Sequence, residues 1–344
     1  MYSFKNDYSE GAHPQILNAL LETNLVQEEG YGEDQYSLKA AELLKERMNS
    51  ADAAVHFLTG GTQTNMAAIA AFLRPYEAAV AAATGHINVH ETGAIEATGH
   101  KVLAVPCAKD GKLTPEGIQS MIDAHPDEHM VKPKLVYLSD TTENGAVYTK
   151  GELEAISAFC KSQQLLLYLD GARLGSALTS KANDLELSDL PKLVDAFYVG
   201  GTKNGALLGE ALVICNDVLK ADFRYMMKQR GAMLAKGRVT GIQFLELFRD
   251  NLFFDLAAHA NAMALKLAET IKAAGYEFLT PPISNQIFPI LPDELLSVLH
   301  RNFQFFDWEK VDDHHSAARL VTSWATKEEA VDAFTASLKE KVTK

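Results

Sequence analysis

Seven short, nearly continuous apolar runs, separated by helical patterns, dominate the chain between about residues 52 and 245. Strands that are buried on both faces by helices contain few polar residues. Alternation of such strands with helices is typical of βαβ units. The pattern therefore predicts an α/β fold with a mainly parallel seven-stranded sheet and helices on both faces. The runs are HFLTGG, AVAAATGH, KVLAVPC, KLVYLSD, LLLYLD, DAFYVGG and EALVIC.

The sequence divides into three parts, with these runs in the middle part. Residues 1–50 combine a polar arm with a helical pattern at SLKAAELLKERM, and residues 51–248 hold the alternating runs. Residues 249–344 carry long helical patterns beside short strands. We therefore expect an N-terminal arm and helix, a large ligand-binding domain and a smaller α/β C-terminal domain, which suits the length of the chain.

The charge and hydropathy of the chain exclude two classes of partner. The net charge is -13 at pH 7, whereas nucleic-acid binding requires clustered Lys and Arg that displace counterions. The sequence MYSFKNDYSEG lacks the layout of a signal peptide, and no apolar run approaches the roughly 18 residues that span a bilayer. We expect a cytoplasmic protein that acts on a small molecule, with no nucleic-acid or membrane partner.

Polar side chains follow the apolar runs directly. Ligands of open parallel sheets bind beyond the carboxyl ends of the strands, so that residues from different runs meet at one crevice. The sequence thus predicts that an imidazole, carboxylates, a guanidinium and an amine converge. The segments are Gly85-His86, Ser139-Asp140-Thr141-Thr142, Asp170-Gly171-Ala172-Arg173 and Gly200-Gly201-Thr202-Lys203.

The segment TGGTQTN joins the first run to a helical pattern. Free backbone N–H groups and the helix dipole at such a junction favour an anion such as phosphate, although a glycine turn there also has a purely structural explanation. The candidate cradle consists of Gly61, Thr62 and Gln63. Neither GxGxxG nor the Walker P-loop pattern occurs in the sequence, which argues against dinucleotide and Walker-type sites.

Lys203 stands among small residues after the sixth run. Burial lowers the pKa of a lysine and frees a nucleophilic amine, so Lys203 is either an ion-pair partner or an amine that binds an aldehyde. An amine, an anion cradle and the strand-end carboxylate of Asp170 together meet the requirements of pyridoxal 5'-phosphate. We therefore predict this cofactor.

Four longer motifs resemble those of the threonine aldolases, which are fold-type I pyridoxal-phosphate enzymes. They are LDGARL at 169–174, GGTKNGALLGEALV at 200–213, GYGED at 30–34 and RLVTSW at 319–324. The resemblance runs from the N-terminal arm to the C-terminal domain. It implies the fold-type I pyridoxal-phosphate-dependent transferase fold, cofactor binding by residues 51–248, and a homodimer or homotetramer with shared active sites.

The resemblance assigns cofactor contacts to five residues. Lys203 matches the lysine that binds the cofactor covalently, and Asp170 matches the partner of the pyridine nitrogen. Gly61 and Thr62 match the phosphate-binding pair. His86 matches the imidazole that stacks on the cofactor ring.

Substrate contacts are implied in the same way. Arg173 and Arg319 match arginines that bind the substrate carboxylate and cofactor oxygens, a task suited to the bidentate guanidinium fork. His129 matches a second histidine near the substrate hydroxyl. Tyr31 matches a tyrosine that reaches the site from the neighbouring subunit.

Three stretches depart from the family pattern. The arm has Asn6 in place of a serine that contacts the substrate carboxylate, and Thr-Lys-Asn replaces Ser-Lys-Gly around Lys203. RGAMLAKGR replaces a phosphate-binding Gly-Gly-Met-Arg-Gln stretch and leaves Lys236 and Arg238 as alternative phosphate contacts. These changes indicate a divergent branch, in which the cofactor is better determined than the substrate.

The reaction that the resemblance implies is cleavage of L-threonine, L-allo-threonine or another β-hydroxy-α-amino acid to glycine and an aldehyde. The expected base for the hydroxyl proton is His86, or a water held by His86 and His129. β-Elimination or transamination of another amino acid is the alternative within pyridoxal chemistry. A non-catalytic relative of the fold is the alternative outside enzymes.

Two histidine pairs have the four-residue spacing of metal ligands on a helix, namely His86 with His90 and His125 with His129. Carboxylate ligands and the HExxH order are missing from both, so we expect no metal. Glu91, next to His90, has the simpler interpretation of a residue that orients an imidazole.

Overall fold

The computed structural model describes residues 1–342 of the chain, in which helices and strands alternate. The strands are β1 Tyr2–Ser3, β2 Ala54–Leu58, β3 Glu77–Ala82, β4 Val102–Val105, β5 Lys132–Ser139, β6 Leu166–Asp170, β7 Ala196–Gly200, β8 Glu210–Ile214, β9 Gln286–Ile287, β10 Ile290–Pro292, β11 Phe303–Gln304, β12 Phe306–Lys310 and β13 His315–Val321. The helices are α1 Pro14–Glu22, α2 Gln35–Arg47, α3 Gly61–Phe72, α4 His86–Val89, α5 Pro115–Asp123, α6 Lys150–Ser162, α7 Leu174–Leu178, α8 Leu190–Leu193, α9 Asp217–Lys220, α10 Phe223–Gln229, α11 Arg238–Arg249, α12 Leu252–Ala273, α13 Asp293–Leu299 and α14 Glu328–Val342.

The large sheet contains seven strands in the order β2-β8-β7-β6-β5-β3-β4. Strands β7, β6, β5, β3 and β4 run parallel, whereas β8 is antiparallel to β2 and to β7. All seven coincide with the predicted apolar runs, and the predicted α/β fold class is confirmed. Because β8 runs in the opposite direction, its first residue, Glu210, pairs with the last residues of its neighbours, Leu58 and Gly200.

Local signals set the ends of the predicted helices. Thr114 caps α5 by accepting the N–H of Gly117, and Pro115 occupies the first turn. Thr149 and Glu152 form a reciprocal capping box at the start of α6. Each cap satisfies backbone donors that have no partner inside the helix. The starts of these two helices could therefore be predicted from the sequence.

Apolar side chains form clusters on both faces of the large sheet. Neighbouring residues of β7 alternate between them, with Phe197 and Val199 in one cluster and Ala196 and Tyr198 in the other. A third cluster packs beside the smaller sheet of β9, β10, β12 and β13, and it includes Phe4 of the N-terminal arm. Strand β1 of the arm also pairs in parallel with β11. The domain boundaries stay a prediction.

Within residues 1–342, no helix combines the length and the apolar character needed to cross a membrane. The cellular location stays a prediction from the sequence.

Gly171 follows β6 where the chain packs directly against the backbone of β7. A Cβ atom at this residue would lie 2.0 Å from the carbonyl oxygen of Tyr198 and 3.0 Å from the Cβ of Leu174. The carbonyl of Gly171 accepts the N–H of Gly200 at 2.9 Å. A side chain at Gly171 would therefore push apart the two strand ends that carry Asp170 and the segment leading to Lys203.

We expect Gly171→Ala to lower the free energy of unfolding by about 3 kcal/mol, the upper part of the range for overpacking. The measurement is chemical denaturation. Gly151→Ala in α6 is the matched control, since among the described residues no atom lies within 4 Å of a Cβ built there. Equal midpoints for the two variants would contradict the steric argument.

Candidate active site

A cavity of about 680 Å³ opens at the sheet edge where β2, β5, β6 and β7 end. This volume lies in the usual range of small-molecule sites. The cavity brings together seven of the residues predicted from the sequence, which are Gly61, Thr62, His86, Asp170, Arg173, Lys203 and Arg319.

Lys203 occupies a turn directly after β7. The turn is closed by a hydrogen bond of 2.9 Å from the N–H of Asn204 to the carbonyl of Gly201, and the Asn204 amide donates to the Phe253 carbonyl at 2.7 Å. Asn204, where the family has a small glycine, thus ties the turn to α12. Burial and the nearby charge of Arg173 lower the pKa of Lys203, which favours the neutral, nucleophilic amine.

Asp170 ends β6 with its side chain buried. Its Oδ2 accepts the hydroxyl of Tyr137 at 2.5 Å and the amide of Asn65 at 3.0 Å, while Oδ1 accepts the N–H of Ala172 at 3.0 Å. Burial alone would raise the pKa of Asp170, but the positive charge of a protonated His86 and the hydrogen bonds from Tyr137, Tyr198 and Asn65 outweigh it, so the pKa lies below its ordinary value. Asp170 is therefore a carboxylate at neutral pH.

His86 begins α4 and is held at two points. Its Nδ1 lies 2.7 Å from Oε1 of Glu91, and its backbone N–H donates to Oε1 of Glu143 at 2.9 Å. Glu143 also accepts the hydroxyl of Ser139 at 2.7 Å, and burial raises the pKa of its carboxyl. The imidazole is therefore fixed where it lines the cavity.

The anion cradle lies at the start of α3. Gly60 is the N-cap residue of α3 and has no side chain, and among the described residues no side chain caps this helix. The backbone N–H groups of its first turn are therefore available to a ligand. A Cβ at Gly61 would lie 2.9 Å from the hydroxyl of Tyr198, so the close approach depends on glycine. Gln63 turns its side chain to the Thr59 hydroxyl at 2.6 Å and does not line the cavity.

Arg173 and Asp7 form a buried, bidentate ion pair. Nε and Nη2 of Arg173 donate to the two carboxylate oxygens of Asp7 at 2.7 and 3.0 Å, and Asn285 donates to Asp7 at 2.9 Å. Burial by itself would raise the pKa of Asp7. The neighbouring charge of Arg173 lowers it by more, so the pKa lies below its ordinary value and both partners are charged. These bonds leave Nη1 and the second N–H of Nη2 for a ligand.

Arg319 of β13 completes the positive side of the cavity. Its guanidinium donates to Oε1 of Gln286 and lies 5.4 Å from the ring centre of Trp308. Burial and the like charge of Arg173 lower the pKa of Arg319 to about 10, which still leaves it protonated at neutral pH. Two buried guanidinium groups that repel each other favour the binding of an anion between them.

His129 lies far from this cavity in the chain described. It precedes β5, whose carboxyl end borders the cavity, so the strand of about 26 Å separates them. Its side chain is 86% exposed and contacts Asp127 at 3.1 Å. A single chain therefore does not bring His129 to a water beside His86, and the contact predicted for His129 stays a prediction that requires a second copy.

Four further predicted residues also lie outside the cavity. Asn6 accepts hydrogen bonds from the arm itself, and Tyr31 is half exposed with Lys228 over its ring. Lys236 and Arg238 line a separate cavity of about 480 Å³. Within a single chain these four residues do not reach the cavity, so the contact predicted for each of them stays a prediction.

Sequence reasoning missed several residues that line the cavity. Glu143 comes directly after the segment Ser139-Asp140-Thr141-Thr142 at the end of β5. Its position in the sequence was the signal that could have revealed it. Glu210 begins an antiparallel strand, so a search of carboxyl ends alone could not find it. His90, Gln286 and Trp308 also face the cavity.

These residues fit pyridoxal 5'-phosphate. A buried carboxylate suits the protonated ring nitrogen, an amine of lowered pKa suits the aldehyde, and an uncapped helix N-terminus suits the phosphate. Lys203, Asp170 and the first turn of α3 would hold the three parts of the cofactor.

Comparison with known proteins agrees with this fit. The beta-eliminating lyase family profile matches residues 7–293. The low specificity L-threonine aldolase of Pseudomonas aeruginosa is 34% identical over 95% of this chain and 94% of its own. A solved structure of threonine aldolase from Leishmania major is 51% identical, with a TM-score of 0.98 over 99% of this chain and 100% of that one.

A more distant structure shares the fold. A double mutant of Thermus thermophilus aspartate aminotransferase has a TM-score of 0.73 over 99% of this chain and 91% of its own, at 15% identity. The fold is therefore that of the fold-type I pyridoxal-phosphate enzymes. Within this class, the chain belongs to the beta-eliminating lyase family. The predicted family, fold and cofactor are confirmed.

Glu210 gives the site a dependence on pH. Its Oε2 accepts the N–H of Gly201 at 3.0 Å, and its carboxyl is buried beside Lys203. Burial raises the pKa of Glu210 from 4.5 to about 7. The folded chain therefore holds this proton more tightly than the unfolded chain, and the stabilisation is lost as the pH rises through 7.

We expect Glu210→Gln to gain stability relative to the wild-type chain between about pH 5 and pH 8, by up to about 3 kcal/mol, because one pKa unit corresponds to about 1.4 kcal/mol. The measurement is urea denaturation of both cofactor-free proteins across this range. Parallel stability curves would contradict the assignment.

Proposed function

We propose that this chain is a carbon–carbon lyase that cleaves L-threonine, L-allo-threonine and related β-hydroxy-α-amino acids to glycine and an aldehyde. The observation that carries the proposal is the meeting of Lys203, Asp170, His86 and Arg319 in one cavity. The names of the relatives from Pseudomonas aeruginosa and Leishmania major support the same reaction.

The arginines account for selection of an amino acid. Arg319 and the remaining N–H groups of Arg173 offer positive charge to the substrate carboxylate, and burial strengthens this attraction. Gln286 and Trp308 hold the Arg319 guanidinium in place. Because less freedom is lost on binding, the fixed arginine favours affinity.

The remaining residues account for the bond that breaks. Bound pyridoxal phosphate supplies a ring that accepts the electron pair left at the substrate Cα. Asp170, a carboxylate, keeps the ring nitrogen protonated, and Lys203 supplies the amine that anchors the cofactor. His86 accepts the proton of the β-hydroxyl, so that the Cα–Cβ bond breaks and the aldehyde leaves. Return of a proton to Cα gives glycine.

Lys203→Ala is expected to abolish threonine cleavage and the visible absorbance of the bound cofactor, because Lys203 is the one lysine among the described residues that line the cavity. Both properties are measured on the purified proteins, with acetaldehyde and glycine as the products assayed. A Lys203→Ala protein that keeps both would exclude the proposal.

The product pattern separates the alternatives for the same residues. With threonine, allo-threonine and serine assayed separately, an aldehyde with glycine supports aldol cleavage. Ammonia with a keto acid would instead identify β-elimination, and a keto acid without ammonia would identify transamination.

We also propose a homodimer or homotetramer in which subunits complete one another's sites. The N-terminal segment exposes apolar side chains, with Leu21 75% and Leu25 91% exposed. These residues lie near the cavity lined by Lys236 and Arg238. Exposed apolar patches are typical of interaction surfaces, and Tyr31 would reach the neighbouring site from this side.

Mixing two inactive variants tests this sharing. If Tyr31 serves the neighbouring site, a hybrid of Lys203→Ala and Tyr31→Ala chains contains one site with both native residues. We expect activity to return when the two proteins are unfolded and refolded together. Refolding each variant alone is the control, and no recovery in a confirmed hybrid would contradict the shared site.

A further inference from the structure

Hydrogen bonds beneath the cavity join Asp170 to His86 through two other residues. The Nδ2 atom of Asn65 donates to Oδ2 of Asp170 at 3.0 Å and to Oε1 of Glu91 at 2.8 Å. The same Oε1 lies 2.7 Å from Nδ1 of His86. Asn65 and the side chain of Glu91 are fully buried. The base and the partner of the ring nitrogen are thus linked without solvent.

The orientation of Asn65 follows from its partners. Its Oδ1 accepts the hydroxyl of Tyr168 at 3.0 Å. Both remaining neighbours, Asp170 and Glu91, are carboxylates that only accept hydrogen bonds when ionised, so the Nδ2 group must face them. Asn65 therefore uses both of its N–H donors and fixes the distance between the two acidic groups.

Glu91 has its hydrogen bonds on one oxygen. Oε1 faces Asn65 and His86, whereas Oε2 is buried and has no hydrogen-bond partner among residues 1–342. A buried carboxylate with so few donors depends on each of them. The N–H of the imidazole is the second donor that Glu91 requires, and this requirement places the imidazole proton on Nδ1.

We propose that Asn65 and Glu91 are positioning residues that hold His86 as the Nδ1–H tautomer and leave its Nε2 atom as the proton acceptor in the cavity. This inference rests on the proposed function for its catalytic meaning. The carboxylate of Glu91 also stabilises the imidazolium that forms when His86 takes the hydroxyl proton, as the buried aspartate does in serine proteases.

Two substitutions at Glu91 separate hydrogen bonding from charge. In Glu91→Gln, the N–H of Asn65 favours the orientation in which the new amide oxygen replaces Oε1, so the Nδ1–H tautomer is kept while the negative charge is lost. In Glu91→Leu, the acceptor is lost as well, and the tautomer is no longer fixed. The proposal thus predicts a larger loss of activity in Glu91→Leu than in Glu91→Gln, which a purely space-filling role for Glu91 would not produce.

The tautomer is measured by ¹⁵N NMR of the holoenzyme, well above the ordinary pKa range of histidine, with the His86 signals identified by their absence in His86→Asn. We expect Nδ1–H in the wild-type protein and in Glu91→Gln, and a mixture in Glu91→Leu. A wild-type His86 that carries its proton on Nε2 would overturn the proposal, and this measurement needs no Glu91 variant to fold.

Threonine cleavage, cofactor absorbance and glycine binding are all measured for the wild-type protein and the two Glu91 variants. We expect kcat to fall about 10-fold in Glu91→Gln and about 100-fold or more in Glu91→Leu, within the usual contribution of a positioned base. Cofactor and glycine should still bind. Wild-type kcat in Glu91→Leu would overturn the proposal.

Glu246→Gln is the matched control, because Glu246 is a buried glutamate that pairs with Gln15 and Arg249 outside the cavity. Its kcat should equal that of the wild-type protein. Failure of the wild-type protein to cleave any β-hydroxy amino acid would remove the proposed reaction, but the NMR result would still decide the tautomer.

Discussion

The buried carboxylate of Asp170 is the charge around which the site is arranged. A carboxylate without water is stable only when donors and positive charge replace its hydration. Tyr137 reaches it from β5, Asn65 from α3, and the N–H of Ala172 from the following turn. The pairing of Ser139 with Asp170 in the parallel sheet brings Tyr137 of β5 beside the carboxylate. Loss of this register would take the Tyr137 hydroxyl away from the buried charge.

A buried ion pair ties the N-terminal arm and the smaller sheet to the site. Asp7 belongs to the N-terminal arm, Arg173 follows β6, and Asn285 precedes the smaller sheet. Phe4 packs in the cluster beside that sheet. The position of the Arg173 guanidinium in the cavity therefore depends on contacts between three distant segments.

The parallel part of the sheet explains why several cavity residues follow from the sequence. Parallel strands place their carboxyl ends at one edge, so residues such as His86, Asp170 and Lys203 could be assigned to one cavity from the apolar runs alone. The same rule missed Glu210, because β8 is antiparallel and presents its first residue at that edge. His129 precedes its strand and lies at the opposite edge, so this rule does not reach it, and the family resemblance alone suggested it.

The sequence by itself determined the seven apolar runs, the helix caps and the motifs that carry the family resemblance, because these depend on neighbours in the chain. Only the tertiary structure decided the bonding of Asn65 and Glu91 beneath the cavity and the pairing of Arg173 with Asp7. Those contacts join residues that the chain separates widely, and hydrogen bonds require donor and acceptor within about 3 Å of each other. Periodicity fixes which residues face inward, but not which of them meet.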